Sequence, residues 1–166
     1  GTIISYVPKE RLNQMSGTGK HQGVIAYTAS LHYAEVEDIL KKAEASGEPP
    51  FVFLLDGIED QHNLGAIISS ANLAGAHGVI IPKRRAASLT AVAVKSSAGA
   101  VSLTPVARVT NLSDTIETLK QKGLWVACAD MQAPPMYEAD LTGPLCLVIG
   151  GEGEGVSRLV RENCDL

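Results

Sequence analysis

Phe51-Val52-Phe53-Leu54-Leu55-Asp56-Gly57-Ile58-Glu59-Asp60-Gln61-His62-Asn63-Leu64-Gly65-Ala66-Ile67-Ile68 is the stretch that decides the fold class of this 166-residue chain. Its first five residues form an unbroken apolar run, the pattern of a strand buried on both faces. After a polar break, Leu64, Ile67, Ile68, Ala71 and Ala74 recur at helical spacing, and Gly75 supplies a stop. The alternation continues downstream. Gly78-Val79-Ile80-Ile81-Pro82 is a second strand, 91–98 a short helix, and 103–107 a third strand whose Pro105 marks an edge or an end. Asn111 or Ser113 caps a helix reaching to about Lys122, with Ile116 and Leu119 inward and Gly123 as its stop. Segments 124–129 and 145–149 are two more strands, and Ser157 starts a last helix. Strand and helix alternating in this way predict an α/β domain, a mainly parallel sheet flanked by helices.

The first 50 residues read differently. A short helix at 9–15 starts after Pro8, a Gly/Ser/Thr/Lys loop follows, and Gly23-Val24-Ile25-Ala26-Tyr27-Thr28-Ala29 reads as a strand. The segment 36–45 has the pattern of a connecting helix, and Ser46-Gly47-Glu48-Pro49-Pro50 is rich in breakers. This piece is too small to bury a core alone, so it reads as the end of another domain, 1–32, joined by a linker, 33–50, to the domain at 51–166.

Composition narrows the classes. With 45 % hydrophobic and 19 % charged residues the chain has ordinary globular content, and its apolar runs fall far short of the roughly 18 residues of a membrane span. Gly1-Thr2-Ile3-Ile4 lacks the features of a signal peptide and reads as a fragment boundary, which makes the cytoplasm the default location. Cys128, Cys146 and Cys164 form no C-x-x-C pair and read as reduced structural residues, while His21, His32, His62 and His77 have no ligand spacing, so no metal is expected. The formal net charge of -4 is unfavourable for gripping nucleic acid over a broad face, so any RNA site must be a local patch.

Three motifs could carry chemistry. Gly17-Thr18-Gly19-Lys20 fails as a phosphate loop: Gln14 stands five residues before Gly19 where a Gly is required, and His21 follows Lys20 where Ser or Thr is required. It reads as a basic loop in which Lys20 can still meet an RNA phosphate. Gly150-Gly151-Glu152-Gly153-Glu154-Gly155 joins a strand to a helix but lacks the G-x-G-x-x-G order, which disfavours a nicotinamide dinucleotide. Two carboxylates there would repel a pyrophosphate, whereas a ligand bearing a sulfonium and an amino group tolerates them; a plain strand-to-helix turn with solvated acids is the other reading. Asn63 is either a helix cap or a polar group of a site at the end of the first strand. Lys83-Arg84-Arg85, on a loop after the second strand, is either an RNA phosphate contact or a solvated basic turn.

Taken together, two of these segments resemble the motifs of a known family. Residues 60–68 resemble the first motif of the SpoU-type RNA ribose 2′-O-methyltransferases of the SPOUT superfamily, and 147–156 resemble the second. Gly78-Val79-Ile80-Ile81-Pro82 and Ala98-Gly99-Ala100 fit between them, and His21-Gln22-Gly23-Val24-Ile25-Ala26 looks like the close of the family's N-terminal RNA substrate-binding domain. Among relatives the chain looks closest to the ribosomal-RNA guanosine 2′-O-methyltransferases. The resemblance implies an α/β domain with a C-terminal trefoil knot, a homodimer, and S-adenosylmethionine held in the knot. It places Gly150, Gly151, Glu152 and Gly153 along the cofactor, with Ala129, Asp130 and Met131 close to it. It makes Asn63 and Glu152 the polar active-site pair, with Asn63 fixing Glu152; Lys20, Lys83, Arg84 and Arg85 stay the candidate RNA contacts on their loop positions. The RNA is ribosomal, with transfer RNA as the other choice.

Two departures from the family pattern stand out. The family carries Arg six residues after the motif Asn, thought to activate the ribose hydroxyl, and Ser69 stands there instead; a neutral hydroxyl cannot replace a guanidinium as a charge partner. The sequence also stops at Leu166, before a third, Ser/Asn-rich family motif that closes the cofactor pocket. The expected activity is thus methyl transfer to a ribose 2′-hydroxyl, with a noncatalytic RNA-binding relative as the alternative.

Overall fold

A computed structural model describes residues 3–16, 19–26 and 32–166, which divide into two compact units, 1–31 and 32–166. In the first unit the expected helix is present as α1 (Lys9–Ser16). The expected strand is not: residues 23–26 carry no strand, and 27–29 lie outside the described residues, as do Gly17 and Thr18 of the basic loop.

The second compact unit takes in the segment 33–50. That segment contains α2 (Val36–Ser46), which buries Ala43 and packs the buried Ile39 in one core cluster with Val52, Leu54 and Ile80 of the sheet. Its ends are well defined. A reciprocal capping box joins Glu35 and Asp38 at the start, and Gly47 in the left-handed region (φ 71°) accepts the turn at the end. There follow β1 (Phe51–Asp56), α3 (Gln61–Leu73), β2 (Gly78–Pro82), α4 (Ala91–Ser96), β3 (Val106–Val109), α5 (Leu112–Gln121), β4 (Trp125–Cys128), β5 (Leu145–Gly150) and α6 (Arg158–Glu162). Pro105 stands just ahead of β3, whose ladder it cannot join as a donor. Asn111 caps α5 by accepting from the amides of Ser113 and Asp114.

All five strands are parallel, in the order β3-β2-β1-β5-β4. Alternation along each strand sends side chains to opposite faces, and both faces are covered. Val52, Leu54, Ile80, Val126 and Val148 pack under α2, α5 and α6; Phe53, Leu55, Val79 and Ile81 pack under α3 and α4. Each fully buried Leu, Ile or Val contributes about 1.5–3 kcal/mol, so the double cover is what holds the sheet between its helices. Helices α3 and α4 meet at Gly65, where a Cβ would sit 2.5 Å from the Ala93 carbonyl oxygen and from the Ser96 side chain. The motif glycine is therefore a packing requirement. Both sheet edges are partly capped by short segments: Ala34 pairs with Ala107 on β3, and Asp165 and Leu166 bond to Val126 and Cys128 on β4.

Candidate functional site

The chain runs from β1 outward to β3, then crosses to β4 and returns with β5 against β1. The loops after β1 and β5 therefore diverge at their shared carboxyl edge, the place where open α/β sheets form a crevice. A cleft of ≈ 760 Å³ lies there, between the 56–63 and 151–161 segments, within the roughly 300–1,000 Å³ range of small-molecule sites.

Its floor is main chain. Asp56 and Gly150 are opposite one another in the β1–β5 register, and the Gly151 amide donates to the Asp56 carbonyl at 2.9 Å. A Cβ on Gly150 would fall 2.1 Å from the Gly155 carbonyl carbon, and one on Gly151 would fall 2.3 Å from the Gly57 carbonyl oxygen. These two glycines are needed because protein backbone, not ligand, occupies the space. The Asp56 carboxylate then accepts from the Ser157 amide at 2.8 Å, holding the loop where it turns into α6.

On this floor stand Asn63 and Glu152. Asn63 is not the cap of α3: that place is taken by Asp60, whose carboxylate accepts from the Asn63 amide at 2.9 Å. The Asn63 side chain is left free for other work, and its Nδ2 donates to Glu152 Oε1 at 3.3 Å, a long bond between residues 89 positions apart. Both line the cleft. The other acids lining it are Asp56, Glu59, Asp60 and Glu154, and the cations are Arg85, Arg158 and Arg161. Carboxylates outnumber guanidinium groups, so the cleft favours a cationic ligand over a phosphate-rich one.

The remaining expected site residues divide. Gly151 and Glu152 line the cleft, and Gly153 sits beside them in the left-handed region (φ 92°). Ala129, Asp130 and Met131 do not line it, because they follow β4, on the far side of β5 from the crevice. Asp130 reaches it indirectly, through a 2.9 Å ion pair with Arg161, and Met131 is wholly exposed. Ser69 is also outside the lining; six residues along α3 from Asn63 put it about 9 Å further up the axis and roughly a third of a turn out of phase. Of the basic loop only Arg85 enters the cleft, and Lys83 and Arg84 are exposed beyond it. Lys20 belongs to the first unit.

Sequence reading missed Asp56, Asp60, Ser157 and Arg161. A carboxylate closing a buried strand was a usable signal for Asp56, and Asp at the residue before a helix was one for Asp60. Nothing local pointed to Arg161, whose partner lies 31 positions away across β5.

The cysteines are all free. Burial raises the Cys146 and Cys128 thiols above their ordinary range and, with the neighbouring Cys128, pushes Cys164 up to about 12. Such thiols are poor nucleophiles at neutral pH, in keeping with packing roles.

A parallel α/β unit whose crevice between β1 and β5 carries a glycine loop and a paired amide and carboxylate defines a small-molecule-binding domain of the doubly wound kind. Its family is narrower than that class. Residues 50–166 match the model of the SpoU rRNA Methylase family, and the chain belongs to that family; residues 1–34 match the model described as RNA 2′-O ribose methyltransferase substrate binding. The chain is 51 % identical over 166 residues to YacO of Bacillus subtilis, assigned to the TrmH family of tRNA/rRNA methyltransferases, covering 99 % of this chain and 66 % of that protein. Among solved structures it is similar to the SpoU methyltransferase AviRb of Streptomyces viridochromogenes in complex with AdoMet (TM-score 0.63, 31 % identity, 71 % of this chain and 47 % of that one). It is likewise similar to the AdoMet-bound rRNA methyltransferase of Sinorhizobium meliloti (TM-score 0.67, 26 % identity, 81 % and 50 %). The chain thus spans less than two thirds of each of these relatives, and these neighbours carry the SPOUT methyltransferase fold.

Proposed function

We propose that the protein transfers a methyl group from S-adenosylmethionine to a ribose 2′-hydroxyl of RNA, ribosomal RNA first and transfer RNA second. The observation that carries this reading is the Asn63–Glu152 pair in an acidic crevice at the β1–β5 switch point. The donor set fits the cofactor: carboxylates at Glu59, Asp60 and Glu154 suit a sulfonium and an ammonium, and the glycine loop offers main chain at close range. When bound, the cofactor supplies an electrophilic methyl group. The chain's own share is orientation, which can be worth several powers of ten when the reacting groups are held in line. Asn63 holds the Glu152 carboxylate, Asp56 fixes the turn into α6 through Ser157, and the Arg161–Asp130 pair ties the 129–131 segment to the same edge.

The same reading gives Gly150 to Gly153 and 129–131 to the cofactor side, Lys20, Lys83, Arg84 and Arg85 to the RNA, and the first unit to substrate binding. A homodimer in the cytoplasm belongs to it as well. Exposed Met131, Met136, Tyr137 and Leu159 supply apolar surface for an interface, and among the described residues no helix is long and apolar enough to cross a membrane.

Titration of the full-length protein with S-adenosylmethionine and with NAD, followed by transfer of labelled methyl to ribosomal RNA and alkaline hydrolysis of the product, tests the reading. Binding of S-adenosylmethionine alone and an alkali-resistant labelled dinucleotide are expected. Label on a base, or tight NAD binding, overturns it. Asn63→Ala should slow single-turnover transfer by about 100-fold. The second reading, a noncatalytic RNA-binding relative, rests on Ser69, which brings no charge and stands outside the cleft lining. RNA binding with no transfer supports it, and Ser69→Arg raising the rate without changing cofactor affinity would locate the missing group.

A further inference from the structure

We infer that Arg85 is the cleft's RNA-binding residue and that it takes the phosphate on the 3′ side of the ribose being modified; this rests on the reading of the site as an RNA ribose methyltransferase. Three guanidinium groups line the cleft, and two have partners. Arg161 donates to Asp130 at 2.9 Å and to the Val156 carbonyl at 3.4 Å, and Arg158 shares an exposed pair with Glu162 at 3.5 Å. Among the described residues no ion pair or hydrogen bond engages the Arg85 side chain.

Its backbone is also unusual. Arg85 has φ 52°, in the left-handed region that a residue with a Cβ rarely enters. The loop is fastened on both sides of it: the Lys83 amide donates to the Val109 carbonyl at 2.9 Å, and the Ala87 amide to the Ile58 carbonyl at 2.7 Å, with Ala87 and Ile58 both buried. A strained residue held by anchors, with an unpaired charge facing a site, is the arrangement from which function is properly inferred. Lys83 and Arg84 share the loop but not the cleft.

The chemistry of the substrate then fixes what Arg85 meets. Carboxylates, which repel a phosphodiester, outnumber the cations over the rest of the cleft, and Arg85 is the lining guanidinium that no ion pair among the described residues neutralises, so it is the group best placed to receive the backbone charge of an RNA. In RNA the 2′-hydroxyl and the 3′-phosphate sit on adjacent ribose carbons. A planar guanidinium gripping that phosphate in a fork therefore also fixes the hydroxyl relative to Asn63 and Glu152.

The test is binding of a fluorescein-labelled mixed-sequence single-stranded RNA to the full-length protein, without cofactor, over a range of salt. Arg85→Gly suits the left-handed backbone and so folds, while removing the cation. It should weaken binding about tenfold and lower the slope of log K against log salt by about 0.7, the share of one phosphate on a single strand. Arg85→Lys should keep the slope, and Lys41→Gln, on α2 away from the cleft, should leave binding alone. Uridine 3′-monophosphate should displace the RNA from the wild type more readily than uridine 5′-monophosphate, and Arg85→Gly should lose that preference. A wild type that does not bind the RNA defeats the methyltransferase reading itself. A wild type that binds, with an unchanged slope in Arg85→Gly, defeats the role of Arg85 alone, and equal displacement by the two nucleotides defeats the 3′ assignment.

Discussion

The loops after β5 and after β4 leave adjacent strands at the same edge of the sheet, yet they are held in opposite ways. The β5 loop is fixed by main chain: Gly151 bonds to Asp56, Gly155 to Gly151, and Ser157 to the Asp56 carboxylate. The β4 loop bonds mainly to itself, with Gln132 and Ala133 donating to Asp130, and exposes Met131, Met136 and Tyr137 almost completely. It is tied to the rest of the unit at its start, where the Ala129 amide donates to the Val148 carbonyl at 2.9 Å and Asp130 pairs with Arg161. A loop shaped by backbone contact has little tolerance for added atoms. A loop shaped by its own turns has much.

Gly150→Ala should make the largest difference between them. Its Cβ would overlap the Gly155 carbonyl carbon and the Val156 amide, which cannot move aside as a flexible side chain can. Loss of about 1–3 kcal/mol by chemical denaturation, together with loss of S-adenosylmethionine binding by calorimetry, is expected. A variant as stable as wild type and still binding would show that the β5 loop is not set by backbone contact.

Asp56→Ala comes next. It leaves the Gly151 bond intact and removes the acceptor of the Ser157 amide, at a cost of about 1–2 kcal/mol, as for a lost helix cap. Amide exchange at Ser157 should accelerate while that at Val126 does not. Equal acceleration at both would mean that the two loops open together.

The β4 side should respond to acid through Asp165. Burial pulls its carboxyl upward, but the bonds to Lys120 and to the Val126 amide outweigh this and hold it below the usual carboxylate range. A lowered folded value contributes stability that is present above the ordinary carboxylate pKa and is lost as pH falls through the lowered one. Exchange at Val126, corrected for its intrinsic pH dependence, should therefore lose protection on acidification. Asp165→Asn should abolish that dependence; a variant that keeps it would assign the effect to another group.

Met131→Ala should do least, changing stability by less than about 0.5 kcal/mol because the side chain has no packing to lose. A larger loss in the full-length protein would show that this loop is covered there.

Much of the site was legible because its parts are local. The apolar runs at 51–55 and 145–149 and the helical spacing from Leu64 onward fixed two strands and a helix, since burial on both faces leaves no other pattern for them. A polar Asn after one strand and a glycine-acid loop after another were visible as chemistry without a stated distance. Helix α2 was legible as a helix but its packing partner was not, because a short amphipathic helix looks alike whether its apolar face meets its own sheet or a neighbour's.

By itself, the sequence determined the α/β class, the position of each motif at a strand end and the family, because these depend on periodicity and on residue types at fixed spacing. The strand order β3-β2-β1-β5-β4 was decided in three dimensions, and with it the meeting of Asn63 and Glu152. So were the capping of α3 by Asp60, the presence of Arg85, and not Lys83 or Arg84, in the cleft lining, and the pairing of Arg161 with Asp130. Each is a contact between segments or a competition between neighbouring groups for one partner, and the energy of such contacts depends on distances that the order of residues along a chain does not contain.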